Sequence, residues 1–154
     1  MGGNLNQLRQ LIQDHVKKIA VKEMAESIKQ TESDVIEKEV DEQYSPTQYI
    51  RRKESGGLID KNNMQVYSNE TDKGINIEIT NDTKGNENYK NHEVGFIDEI
   101  IEKGEGYTWE NSEIANMQPY PRPFTEKTIE NLNQNKQHID VLKKEMQKLG
   151  YKIK

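Results

Sequence analysis

The run Tyr44-Ser45-Pro46-Thr47-Gln48-Tyr49-Ile50-Arg51-Arg52 sets two tyrosines beside two arginines. Lysine and arginine together number 22, yet arginine stands only at Arg9, Arg51, Arg52 and Arg122. A chain that otherwise uses lysine has reason to choose arginine where a planar fork is needed. Such a fork can grip a carboxylate through two N–H groups or lie over a tyrosine ring. The chemistry on offer is therefore recognition and packing. The same pair can also stand as two solvated cations. Pro46 fixes its own φ and biases Ser45 toward an extended backbone, so a helix arriving from the N-terminal side should stop before Ser45. Tyr49, Ile50 and Arg51 can open a strand or a short helix. Gly56-Gly57, ahead of Leu58, supplies a turn with positive φ or a close backbone approach.

No catalytic constellation stands beside this stretch. His15, His92 and His138 are scattered, and none has a second ligand at zinc-site spacing. There is no Gly-x-Ser-x-Gly, phosphate-binding loop or dinucleotide fingerprint. Asp98, Glu99 and Glu102 share one short helix without a histidine partner, and Thr71-Asp72-Lys73-Gly74 does not fit a calcium loop. The expectation is a non-enzymatic protein with no metal and no cofactor.

Length suits one domain, residues 1–154. The residues are 31% hydrophobic and 32% charged, with a mean hydropathy of −1.08. A chain this polar has a small private core: either partner subunits complete the burial or part of the chain is mobile on its own. Cysteine is absent, excluding a disulfide or thiolate zinc site. No apolar run reaches the roughly 18 residues of a membrane span, and the start has no secretory pattern. The net charge of −5 is the wrong sign for a general nucleic-acid binder. Lys17-Lys18 and Lys143-Lys144 are isolated doublets.

The elements that must position the central stretch follow from periodicity. Residues 4–42 read as a long helix, with Leu5, Leu8, Leu11, Ile12, Val16, Ile19, Met24, Ile28, Val35, Ile36 and Val40 recurring mostly at steps of three to five. Thr31-Glu32-Ser33-Asp34 is its expected break, since Ser33 or Asp34 can cap a second segment. Residues 43–120 form a strand and loop region. Met64–Tyr67 is one strand; Ile75, Ile77 and Ile79 alternate with polar residues in a second. The isoleucine face needs a cover, which the long helices can provide. Val94–Lys103 reads as a short amphipathic helix, with Gly104 at its C′ position. Trp109 plugs the core or packs across a surface. Residues 123–150 read as one C-terminal helix with Phe124, Ile129, Leu132, Ile139, Leu142, Met146 and Leu149 along a stripe. The fold class expected is α+β, a small antiparallel sheet flanked by two long helices and one short helix.

Tyr44, Pro46, Tyr49, Arg51 and Arg52, followed by Gly56-Gly57-Leu58, resemble a pattern in the minor structural proteins of tailed bacteriophages: the siphophage-type neck, head–tail connector or tail-completion family. The stretch Ile97–Gly104 is similar to that family's short helix with a Glu-x-Gly ending. Pro121-Arg122-Pro123-Phe124 opens the last helix as it does there. The order and spacing cover residues 5 to 150. The resemblance implies a virion protein at the head–tail junction, assembled in the host cytoplasm. It implies a homo-oligomeric ring, six- or twelve-fold, with neighbouring connector, head-closure, tail-terminator or tail-tube proteins as partners. DNA would pass through the channel without specific binding, and no membrane would be involved.

The acid between Glu23 and Glu42 bears on that channel. An acidic lining repels a duplex where a basic one would hold its phosphates. Glu37, Asp41 and Glu42 are the candidates to face the lumen; a merely solvated helix face is the other reading. The alternative from a different class is a small cytoplasmic protein-binding or regulatory module of toxin–antitoxin type, which leaves the Gly-Gly-Leu and Pro-Arg-Pro-Phe elements unexplained.

Overall fold

The computed structural model describes residues 2–71, 74–85, 95–106 and 113–153. It is an α+β arrangement of one two-stranded antiparallel sheet and several helices. The first helical run has no proline, and no glycine once past Gly3, to interrupt it before Pro46. It forms α1 (Gly2–Ile19), a π turn (Ala20–Met24) and α2 (Ala25–Glu39), then a 3₁₀ turn over Asp41–Gln43. At about 1.5 Å per residue the rod is roughly 55 Å long. The break expected at Thr31–Asp34 does not occur. The Ser33 hydroxyl donates to the Ile59 carbonyl at 3.0 Å, and Asp34 Oδ1 accepts from the Gln30 side chain at 2.8 Å, so neither caps a new segment. The irregularity falls at Ala20–Met24 instead. Val16, Ala20, Met24 and Ile28 follow one another in steps of four, which drift around a helix of 3.6 residues per turn. One wider turn among them holds all four on the same side, where they line a single groove.

Strands β1 (Met64–Thr71) and β2 (Gly74–Asn81) pair antiparallel from Met64↔Asn81 to Thr71↔Gly74. β1 extends past Tyr67, because every residue of β2 finds a partner on it. The expected alternation holds: Ile75, Ile77 and Ile79 face the groove walled by the α1–α2 rod and the C-terminal helices. Beyond the sheet, Lys84 bridges Phe96, and the Ile97 N–H donates to the Thr83 carbonyl at 2.9 Å. This leads into α3 (Asp98–Lys103), which starts later than the expected Val94 because Phe96 and Ile97 pair with Lys84 and Thr83; its C-cap is Gly104 at φ 68°. A further short helix, α4 (Glu113–Met117), was not apparent from periodicity.

The C-terminal run is two helices, not the one expected over 123–150. α5 (Phe124–Asn135) ends at Lys136, which takes φ 55°, and α6 (Gln137–Lys148) begins beyond it. The Asn135 side-chain carbonyl accepts the Gln137 N–H at 3.0 Å and so caps α6. The bend has a packing cause. α5 lies along α2, whereas α6 turns to pack on the π turn and α1. The core joins Val35, Ile36 and Val40 of the rod to Leu58, Ile59, Met64, Ile101 and Phe124, with Ile79 and Ile97 against its edge.

Candidate functional site

The chain leaves the rod through the 3₁₀ turn, and Tyr44 is already extended at φ −158°. This stop ahead of Ser45 is the one Pro46 requires. Tyr49, Ile50 and Arg51 then form neither strand nor helix but a bend and an irregular link. Arg51 folds back over the exit. Its Nη1 donates to the Asp41 carbonyl at 2.6 Å, its Nη2 to the Tyr44 carbonyl at 2.8 Å, and its Nε lies 3.3 Å from Asp41 Oδ1. The guanidinium carbon sits 4.7 Å from the centre of the Tyr44 ring. Arg51 thus stacks on the ring as expected, but its fork spans two backbone carbonyls and only Nε approaches a carboxylate oxygen, so the expected two-point carboxylate grip is not made among the described residues. The Tyr44 and Tyr49 hydroxyls hydrogen-bond each other. Burial, and then that bond, raises the Tyr44 phenol above its ordinary range. Burial also pushes the Asp41 carboxyl up, against the pull of Arg51. Among the described residues Arg52 meets no carboxylate; it donates to the Lys84 carbonyl.

The Gly-Gly-Leu turn uses both glycine properties. Gly56 takes φ 91°, and a Cβ on Gly57 would stand 2.5 Å from the Lys53 nitrogen and oxygen. Asp60 holds the turn: one carboxylate oxygen accepts the Gly56 N–H at 2.7 Å, the other the Asn62 N–H at 3.0 Å. Beneath it lies a buried polar knot that no pattern in the sequence announces. The Asn81 amide donates to Glu32 Oε1 at 3.1 Å and to the Leu58 carbonyl at 2.9 Å, while its oxygen accepts from Thr83 Oγ1 at 2.6 Å. Asn63 Nδ2 donates to Thr83 Oγ1 and to the Gly57 carbonyl. Burial raises the Glu32 carboxyl above its usual range, and the Asn81 bond only partly offsets this.

The third set of residues locks two distant segments. A Cβ on Gly104 would lie 2.0 Å from the Tyr120 carbonyl carbon and 2.4 Å from the Pro121 nitrogen, so the backbones touch where only glycine fits. The Arg122 N–H donates to the Ile101 carbonyl at 3.2 Å, and Glu102 Oε1 accepts the Thr125 N–H at 2.6 Å, capping α5. Arg122 and Phe124 are buried, Pro123 is the residue before α5, and Pro121 is exposed. Before this segment, Glu113 accepts the N–H groups of Gln48 and Thr47 at 2.8 and 2.7 Å, which lowers its carboxyl below the ordinary range.

Much of the rod's acid is engaged inside the subunit. Glu26 pairs with Lys61, Glu39 with Lys127, and Asp41 with Arg51. Asp41 is consequently turned inward, while Glu37, 4.0 Å from Lys53, and Glu42 remain exposed. Trp109, Tyr107, His92, Asp72 and Lys73 lie outside the described residues. His15 Nδ1 meets the Tyr151 hydroxyl at 2.9 Å, and burial, with Lys136 nearby, lowers the His138 imidazole below its usual range. Among the described residues no group of three or more His, Asp or Glu side chains is placed to hold a metal, and no helix is long and apolar enough to cross a membrane.

No curated protein and no solved structure matches the chain. The model of the YomN family, whose name is of Bacillus phage-derived type, matches residues 4–148. That span takes in the Arg51 clamp, the Gly-Gly-Leu turn and the Gly104 contact, and the chain belongs to the phage-associated YomN family.

Proposed function

We propose that this chain is a non-enzymatic structural subunit of a phage particle, which forms a ring at the head–tail junction and continues the DNA channel there. The observation that carries the reading is the lock between Glu102-Lys103-Gly104 and Pro121-Arg122-Pro123-Phe124. Two of the segments on which the resemblance to neck and tail-completion proteins rests are in contact, and Arg51 fixes the third to the end of the rod. Family membership supports the phage association. The partners proposed are further copies of the chain and the adjoining connector, head-closure, tail-terminator or tail-tube proteins. Glu37 and Glu42 are the proposed lumen-facing acids, repelling passing DNA over roughly a Debye length, about 8 Å at physiological salt.

The experiment is to purify particles, detect the protein in them by mass spectrometry, and image a tagged copy. The expected result is density at the neck, with unjoined heads and tails when the reading frame is interrupted. Complete, infectious particles lacking the protein would overturn the proposal.

A further inference from the structure

α1 carries an apolar stripe that, among the described residues, is exposed at Leu5, Leu8 and Leu11 and half-buried at Ile12. Leu5, Leu8 and Leu11 are 72%, 50% and 48% exposed, and Ile12 lies beside them one turn on from Leu8. Positions i, i+3 and i+7 form the row by which an amphipathic helix enters a groove. The molecule also has a groove of the matching kind. Its cavity is about 440 Å³, walled by Val16 and Ala20 of the rod, the isoleucines of β2, and Ile129 and Leu132 of α5. Ile129 is 55% exposed along this wall. The stripe cannot fill its own groove. The rod supplies one wall from Val16 onward, and Leu5 lies about 16 Å further along the same continuous helix.

Charge agrees with shape. Residues 2–13 contain one charged side chain, Arg9, while the chain as a whole carries −5. Arg9 flanks the stripe, four residues from Leu5 and three from Ile12. It is exposed, and its side chain makes no hydrogen bond or ion pair among the described residues. Among the described residues the one charged residue lining the groove is Glu32, which is buried at its floor; its carboxylate accepts from Asn81 and meets no cation within 4.0 Å.

We infer that the α1 stripe of one copy docks in the groove of a second copy, with Leu5, Leu8 and Ile12 among the β2 isoleucines and Arg9 against Glu32. Stripe and groove are different surfaces, so the contact is head-to-tail. Repeated with a rotation that closes, it makes a ring. The inference rests on the ring reading above and names the surfaces that would build the ring.

The test needs only purified protein. Leu8→Asp disables the stripe and Ile129→Asp the groove, both at exposed positions; circular dichroism and thermal melts check that each folds. If Ile129→Asp does not fold, Thr125→Glu, another exposed groove residue, replaces it. By sedimentation, each variant alone should self-associate at least about tenfold more weakly than wild type, the loss expected of a central apolar anchor. Mixed one to one, they should form a heterodimer and nothing larger, because one intact stripe and one intact groove remain. Arg9→Glu should also weaken wild-type association. A mixture of folded variants that stays monomeric overturns the inference. So does an Ile129→Asp variant that associates like wild type, the result expected if stripes pair with stripes. A heterodimer formed by a protein absent from particles would leave this contact standing and remove the neck reading. A neck ring whose folded variants fail to pair in the mixture would do the reverse.

Discussion

An alanine at Gly104 would put its Cβ 2.0 Å from a backbone carbonyl carbon, and at φ 68°. Backbone, unlike a flexible side chain, cannot step aside. Gly104→Ala should cost roughly 3 kcal/mol or more, read as a lowered urea midpoint, with separation of α3 from the start of α5. Arg51→Lys keeps the charge but loses the fork and the stacking over Tyr44. It should cost about 1–2 kcal/mol, against little for Arg52→Lys, whose contact is exposed. Glu32 gives a pH signature. Its carboxyl is raised by burial, so the folded state holds the proton more tightly than the unfolded chain does. Its contribution to stability is full below the ordinary glutamate pKa and is lost as pH rises through the folded value. Glu32→Gln keeps an oxygen for the Asn81 amide without the buried charge. Thermal melts should show it more stable than wild type at neutral pH, and with a flatter fall from mildly acid to neutral pH.

At the scale of elements, the two irregularities of the helices are each local and testable in kind. Lys136 occupies the left-handed region between α5 and α6, where an L side chain is strained. Lys136→Gly should raise stability by roughly 0.5–1 kcal/mol in denaturant melts, and Lys136→Val should lower it. The bend was hidden because Ile129, Leu132, Ile139 and Leu142 keep a helical rhythm across it. The only local sign is Asn135, a residue suited to helix ends. The π turn was hidden for a related reason: steps of four read as ordinary helix until drift is counted around the axis. The hairpin, the short helix and its glycine end were legible, since strict alternation in Ile75–Ile79 and a glycine after Lys103 each allow one reading. The Asn81–Thr83–Glu32 knot was not. Polar residues in a turn-rich stretch look solvated, and only the fold brings Glu32 of the rod over the end of β2.

For the whole molecule, charge placement decides more than charge total. Asp41 belongs to the Arg51 clamp, so a test of the proposed channel lining must spare it. Glu37 and Glu42 changed together to lysine should leave the subunit folded and particles assembled. DNA release from those particles should be slower and should recover as salt rises, because added phosphate contacts are salt-dependent. Normal release at low salt from intact double-variant particles would remove the two acids from the channel.

The contact of Gly104 with the Tyr120–Pro121 peptide has a further consequence. The chain departs at Gly104 and returns at Tyr120 to the same point, so the stretch between them has its two ends fastened together. Its outer tie, from Glu113 to the Thr47 turn, is a surface contact. Lengthening or shortening such a loop costs little closure entropy once its ends are held. Changes of length between Gly104 and Tyr120 should therefore leave the rod, the hairpin and the clamp as they are.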